Sequence, residues 1–510
     1  MLITLTACGK NKSTAISAPI NYVPNCYDPQ IAEGLELETI LNNCFEGLVR
    51  IDASGNIQKA AAQAWTVSPD GLIYTFALRD DAKWYVPKSA TKALGEDFVK
   101  SLDTRVTAED FAYGIMRVLD KNTGSPYAYM LDAVNRAYAT DDVTLVIELK
   151  KPFEGLLTTL ALPICMPCKE AFFNETAGRY GLSTSLLLSN GPFYLGLFDE
   201  DIGAVTLKKN PDYKGSYRAL SDTIRLFVPD EEKPREFSIK TASRDETTDL
   251  GPEYKVSHYK NAVKAFCFNC SNETLNTFRS IRLAFAHSTD IDALVGKGIS
   301  RAEGVIPSAC LLQAGTSYRA NANVLRGPEF DLGKADEIYR ALKERNEAQE
   351  IPDDLTLNLK LVCLESDLDS VKTIMQGWQK TFGVALTLTF ESFATQEELD
   401  SVINKGDYDI AYTTIVTSDF LASEYLKNFT SDSAKNIINL QNPEFDKLVN
   451  SALGSEDSDK LTDILVECEN YLLNNAYLIP TVSRDTYIVQ DETAADVTVR
   501  PSGSVYAFYK

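Results

Sequence analysis

The amino-acid sequence predicts an α/β fold built from more than one domain. Two observations carry that expectation: a strand–helix–strand pattern between residues 355 and 416, and a hairpin-rich stretch between residues 51 and 185. Length agrees with both, because 510 residues exceed what one compact core holds.

Taken in chain order, Leu37, Ile40, Leu41, Cys44 and Leu48 recur at three-or-four spacing and predict an amphipathic helix. Ser68-Pro69-Asp70-Gly71 predicts a turn: proline presets φ, aspartate hydrogen-bonds the backbone, and glycine accepts φ > 0. Behind it Leu72, Tyr74, Phe76 and Leu78 alternate with Ile73, Thr75 and Ala77, the period of a strand. Thr107-Ala108-Glu109-Asp110 then opens a helix. Thr107 is placed to cap free amides, Asp110 takes the capping-box position, and both acids face the positive end of the dipole. Phe111, Ile115, Val118 and Leu119 form its apolar stripe, which Asn122-Thr123-Gly124-Ser125-Pro126 ends. Val143, Leu145, Ile147 and Leu149 alternate as a strand that stops at Lys151-Pro152. The acidic span from Pro229 to Tyr254 reads as surface with local helix.

The clearest unit comes later. Leu355, Leu357, Leu359 and Leu361 alternate, then Leu368, Val371, Met375, Trp378 and Phe382 mark a helix face closed by Gly383. Val384, Leu386, Leu388 and Phe390 resume the alternation, and a third strand is expected from Asp409 to Val416. Strand, helix and strand in succession imply a right-handed crossover and a parallel sheet. Met375 and Trp378 are core packing in this reading.

Composition narrows the function. A hydrophobic fraction of 44% with 24% charged residues is ordinary for a folded chain. The net charge of −22 argues against a nucleic-acid partner, which needs a basic footprint. No apolar run has the length that spans a bilayer. An enzyme needs an arranged nucleophile, base or metal. Only two histidines exist: His287 lies in the helix after Phe278 and His258 in an expected strand, neither beside a nucleophile or metal motif. No catalytic residue, metal ligand or cofactor is expected.

Ten cysteines include two Cys-x-x-Cys pairs, Cys165 with Cys168 and Cys267 with Cys270. A four-cysteine zinc site or a redox pair is one reading. The other, which is favoured, places them as small buried side chains in or beside apolar strands, Leu160 to Met166 and Val263 to Phe268. Residues three apart on a strand face opposite ways, which hinders shared ligation.

Several strings, taken in order, carry a resemblance. They are DGLIYTFALRDDAKW, TAEDFAYGIMRVLD and TGSPYAY between Asp70 and Tyr129, together with Tyr27-Asp28-Pro29 and Phe45-Glu46-Gly47-Leu48. Ser189-Asn190-Gly191-Pro192-Phe193-Tyr194-Leu195, Lys209-Asn210-Pro211-Asp212-Tyr213 and Phe278-Arg279-Ser280-Ile281-Arg282-Leu283-Ala284 follow. Gly406-Asp407-Tyr408-Asp409-Ile410-Ala411 and Asn442-Pro443-Glu444-Phe445-Asp446 complete the set. Together they resemble the extracytoplasmic solute-binding proteins of peptide ABC transporters, the oligopeptide-binding protein family of bacterial solute-binding family 5. The likeness runs from about residue 20 to the C-terminus. It implies a periplasmic-binding-protein-like fold of type II, with two lobes, a hinge and an inserted smaller domain. The family thread assigns residues 19–50, 186–262 and 478–510 to lobe I, 51–185 to the insert and 263–477 to lobe II. Chain crossings are expected near Lys264 and Leu478.

The resemblance also implies the ligand chemistry. An extended oligopeptide is held by main-chain pairing and closed between the lobes. The paired segments are expected at Pro24-Asn25-Cys26 and at Val416-Thr417-Ser418, with Tyr127 or Tyr129 reaching the ligand. Asp419 stands where the family carries its ammonium-binding aspartate; a loop acid or a cap for the helix from Leu421 is the alternative. Leu421-Ala422-Ser423-Glu424 departs from the family turn that follows. Leu5-Thr6-Ala7-Cys8 resembles a lipobox, so Cys8 is the expected lipidation site, and residues 1–18 are expected to be a truncated signal and tether. The implied location is the outer face of a bacterial cytoplasmic membrane, held by lipid, as a monomer that serves ABC permease subunits. Other cargo on the same fold, a metal chelate or an oligosaccharide, and the sensing of a signal peptide remain open.

Overall fold

The computed structural model describes residues 15–31, 34–52, 56–153, 155–199, 204–230, 236–242, 244–296, 299–312, 317–322, 327–344, 356–416, 421–433, 435–453, 455, 458–499, 505–506 and 508–509. The chain forms two compact units: residues 1–257 with 487–510, and residues 258–486.

The first unit carries strands β1 (Ala15–Pro19), β2 (Ala62–Val67), β3 (Ile73–Leu78), β4 (Val134–Asp141), β5 (Thr144–Leu149), β6 (Phe193–Asp199), β7 (Ala204–Lys209), β8 (Thr223–Phe227) and β9 (Ile239–Ala242). One sheet has the order β1-β8-β7-β6, with β1 parallel to β8 and the other pairs antiparallel. A second, wholly antiparallel sheet has the order β2-β3-β5-β4. Between β2 and β3 the predicted turn forms. Gly71 has φ 70°, and Asp70 Oδ1 accepts from the Leu72 amide at 3.1 Å. Alternation then buries Tyr74, Phe76 and Leu78.

Helix α1 (Leu35–Cys44) buries Leu37, Ile40, Leu41 and Cys44, and Leu48 is buried just beyond it. Helix α2 (Ala108–Leu119) starts at its capping box, where Asp110 Oδ2 accepts from the Thr107 amide at 3.0 Å. Phe111, Ile115 and Val118 face the core. Asp110 is itself sealed, taking Trp84 Nε1 at 3.0 Å and Lys169 Nζ at 3.2 Å. Burial holds its carboxyl above the ordinary aspartate range, against the pull of Lys169.

The second unit is built on strands β10 (Lys255–Phe268), β11 (Leu357–Leu364), β12 (Leu386–Phe393), β13 (Ile410–Val416) and β14 (Leu478–Gln490). Their order is β14-β10-β13-β11-β12. The chain enters this unit within β10 and leaves it within β14, whose last four residues pair with β9 in the first unit. Strand β11 is parallel to both β12 and β13, so the predicted crossover exists, with α3 (Leu368–Phe382) as its helix. Val371, Ile374, Trp378 and Phe382 are buried, Trp378 packs between Phe266 and Phe285, and Gly383 ends the helix at φ 57°.

Two expected strands start later than the alternation implies, and one expected strand does not form. Val384 is fully exposed in a 3-10 turn, Gly383–Ala385, and the strand begins at Leu386. Val143 is exposed before β5 begins at Thr144. The run Leu160 to Met166 is not a strand. Pro163 opens a 3-10 helix, Pro163–Cys165, and the Cys165 and Met166 amides bond back to Leu162 and Pro163. A proline supplies no ladder donor, and a short apolar run does not by itself distinguish strand from buried turn. Leu355 lies outside the described residues.

Candidate ligand-binding site

In the second unit, β13 ends on Val416, the first residue of the expected ligand segment. It pairs antiparallel with β10, Ala262 opposite Val416 through Phe268 opposite Ile410. Val416 ends the strand, and the expected Thr417, Ser418 and Asp419 lie outside the described residues. The chain resumes at Leu421, bridged to Leu311, and the Ala422 amide donates to Leu311 O at 2.9 Å. Leu421 is the N-cap of the helix Ala422–Lys427, which is seated on a core containing Ile415, Tyr425, Leu426 and Phe429. Both flanks of residues 417–420 are therefore fixed, by a ladder on one side and a buried helix on the other.

In the first unit Asn25 is exposed and Cys26 half-buried, and burial raises the Cys26 thiol. The next residue is pinned: the Tyr27 amide donates to Gly181 O at 2.8 Å. Gly181 itself, at φ +76°, approaches so closely that a Cβ would lie 2.4 Å from the Asp28 nitrogen. Tyr127 and Tyr129 are half-buried around the 3-10 helix Ala128–Leu131, with ring centroids 6.5 Å apart. The structure thus brings these two tyrosines together. Cys8 lies outside the described residues.

What the residue pattern did not disclose is the structural work that several of these strings do. In the first unit they converge on Glu46, which is fully buried. Its Oε2 takes Arg79 Nε at 3.1 Å and Nη2 at 2.6 Å, and its Oε1 takes the Tyr213 hydroxyl at 2.6 Å. The Glu46 amide donates to Asn190 Oδ1, and Asn190 Nδ2 donates to Glu46 O. Gly191 lies against the α1 end, where a Cβ would stand 2.7 Å from the Cys44 carbonyl carbon and the Phe45 nitrogen. A second node is Asp28, bonded at 2.7 and 3.2 Å by Arg117, which also donates to Gln30. In the second unit Arg282 is buried, donates to the Asn475 carbonyl, and lies 4.3 Å from the Tyr477 ring centroid. Burial lowers its pKa. Asp409 takes the Lys360 amide at 2.7 Å and Asn272 Nδ2 at 2.7 Å, and Asn442 Oδ1 takes the Glu444 and Phe445 amides at the start of a helix.

The Cys-x-x-Cys pairs follow the same logic. Cys165, Cys168, Cys267 and Cys270 are buried and unpaired. Burial pushes the Cys168 thiol up to about 12 and Cys270 to about 11, the opposite of an activated thiolate. Among the described residues no three of His, Cys, Asp and Glu are grouped to hold a metal. His258 lies in β10, 2.9 Å from Asp485, and His287 Nδ1 contacts Glu329 O at 2.8 Å. Among the described residues no helix is long and apolar enough to cross a membrane.

With this geometry in place, comparison with known proteins is direct. The family model for bacterial extracellular solute-binding proteins, family 5, matches residues 56–436. The oligopeptide-binding protein OppA of Bacillus subtilis is 24% identical over 100% of this chain and 97% of its own. The probable deoxycholate-binding periplasmic protein YgiS of Escherichia coli is 24% identical over 90% of this chain and 85% of its own. Among solved structures, peptide-bound OppA of Listeria monocytogenes superposes with a TM-score of 0.70 at 22% identity, covering 98% of this chain and 99% of that one. The fold is therefore that of the type II binding proteins.

Proposed function

The chain belongs to the bacterial extracellular solute-binding proteins, family 5, and on that premise we propose that it captures oligopeptides for an ABC transporter. Proteins of this family bind and do not catalyse. Similarity along the whole chain to an oligopeptide-binding relative carries the reading. In it the lobes 19–50, 186–262 and 478–510 on one side and 263–477 on the other close over an extended peptide, with 51–185 as the insert. Asn25, Cys26, Val416, Thr417 and Ser418 pair with its main chain, and Tyr127 and Tyr129 pack beside it. Asp419 takes the α-ammonium. Its support is its sequence position, three residues after Val416, the last residue of β13; α/β ligand sites gather beyond the carboxyl ends of strands. A charge-assisted hydrogen bond there contributes about 1.5–3 kcal/mol. Lipid on Cys8 would hold the monomer at the outer face of the membrane, beside the permease subunits that receive the peptide.

The experiment is a thermal-shift and calorimetric screen with extended peptides, free and N-acetylated. Free peptides raise the melting temperature. Acetylation or Asp419→Ala weakens binding by about tenfold or more, the equivalent of the lost charged bond. Equal binding of acetylated and free peptides would remove Asp419 from its role. The deoxycholate-binding relative gives a second reading, a non-peptide solute. A melt raised by deoxycholate, a chelate or an oligosaccharide, with peptides inert, selects it.

A further inference from the structure

The first unit contains a cavity of about 460 Å³ walled in part by Tyr113, Met116, Asp120, Phe173 and Leu182. That size suits a small organic molecule. Its floor is one face of α2: Tyr113, Met116, Arg117 and Asp120 follow at i, i+3, i+4 and i+7, turned away from the Phe111, Ile115 and Val118 stripe that faces the core. Tyr113 and Phe173 stand with ring centroids 6.0 Å apart and planes at 61°, so an edge of one meets a face of the other. Leu182, 54% exposed, extends the apolar rim.

Charge decides which molecule fits. Arg117 lines the cavity, but its guanidinium is engaged by Asp28 through two bonds and lies 3.9 Å from the Phe173 centroid. Arg117 and Asp28 cancel. Asp120 is left, and it sits at the C-cap of α2, beside the negative end of the helix dipole, where a carboxylate is locally unfavourable. Its Oδ1 takes the Asn122 amide and side chain at 2.9 and 3.0 Å, while Oδ2 accepts no hydrogen bond among the described residues. Burial holds the Tyr113 hydroxyl up to about 12, so the phenol stays neutral. Aromatic walls, a helix C-terminus and an uncompensated carboxylate together form an electronegative, partly apolar pocket.

We propose that this cavity is a second ligand site, taking a small organic cation with an aromatic or aliphatic body: the ammonium at Asp120, the body between Tyr113, Phe173 and Leu182. It is independent of the peptide reading, although Cys26 borders both.

The test uses 2-phenylethylammonium on the full chain, with 2-phenylethanol and 3-phenylpropanoate as neutral and anionic analogues, followed by calorimetry and ligand-observed NMR. The cation binds and the analogues bind at least fivefold more weakly, the loss expected for an exposed charge contact. Asp120→Asn, at an exposed position, reduces cation affinity by a similar factor, and Asp419→Ala leaves it unchanged. Equal binding of the three probes, or no binding at millimolar cation, overturns the proposal. Loss of cation binding in Asp419→Ala also overturns it, because the amine would then be reporting the peptide site. Failure of the peptide reading shows separately, as peptides that do not shift the melt.

Discussion

Replacing Glu46 by alanine is expected to unfold the first unit preferentially. The carboxylate is fully buried and takes two bonds from Arg79, itself 7% exposed, and one from Tyr213. Removing it leaves a sealed guanidinium whose remaining carboxylate partner, Asp81, is half in solvent. Breaking a buried pair from one side costs about 3–5 kcal/mol, because the surviving charge keeps its desolvation penalty without its partner. With a urea slope of about 3 kcal/mol per molar for a unit this large, the midpoint falls by about 1–1.7 M. Glu46→Gln, which keeps an acceptor for Arg79 or Tyr213, should cost less, about 1–3 kcal/mol. The double variant Glu46→Leu with Arg79→Met removes both charges and should recover much of the loss, since an apolar pair of like volume is often neutral. Two units need not unfold together, so the probe must be local. Trp84 serves, because it is 2% exposed and its ring lies 6.2 Å from Phe45, next to Glu46, whereas Trp378 reports the second unit. A double variant as unstable as Glu46→Ala, or a loss seen equally at Trp378 and Trp84, would refute the reasoning.

Gly191→Ala should lower stability by about 2 kcal/mol or more in the same Trp84 assay, because its Cβ would meet backbone atoms of Cys44 and Phe45 that cannot rotate away. Native thiol titration should label Cys26 and leave Cys44, Cys165, Cys168, Cys267, Cys270, Cys310, Cys363 and Cys468 unreacted until denaturant is added; rapid labelling of any of those would contradict their burial. Asp110, held above its ordinary value of 3.8, keeps its proton longer in the folded state than in the unfolded one. Wild type should therefore lose stability relative to Asp110→Asn as pH rises from about 4 through the folded pKa, the reverse of a salt-bridged carboxylate. A difference between the two proteins that stays flat over that window would show the carboxyl to be unperturbed.

Local signals in the sequence were strong enough to fix local structure. Turn 68–71 and the capping box at Thr107 and Asp110 are each specified by residues within a few positions of one another, the crossover through α3 by successive periodic runs, and all three form. Element edges were less legible. Val384 continues an alternation that the φ of Gly383 has already broken, and Leu160 to Met166 is apolar throughout, with only Pro163 to mark a turn. The purpose of the shared strings was not legible at all. Glu46 meets Arg79 at a separation of 33 residues and Tyr213 at 167, and no spacing rule reports such a meeting. For the proposed ligand residues, the sequence supplies Asp419 and the fold supplies the flanks, Val416 in its ladder and Leu421 on Leu311.

The convergence on Glu46 has a practical corollary for how proteins of this kind are sorted. Phe45-Glu46-Gly47-Leu48, Ser189 to Leu195 and Lys209 to Tyr213 are distant in sequence yet fasten one knot. Such a knot belongs to the skeleton rather than to the cargo: at the same 24% identity this chain resembles one relative named for oligopeptides and another named for deoxycholate. Sorting them by cargo calls for a different alphabet, one read from the residues proposed to meet the ligand.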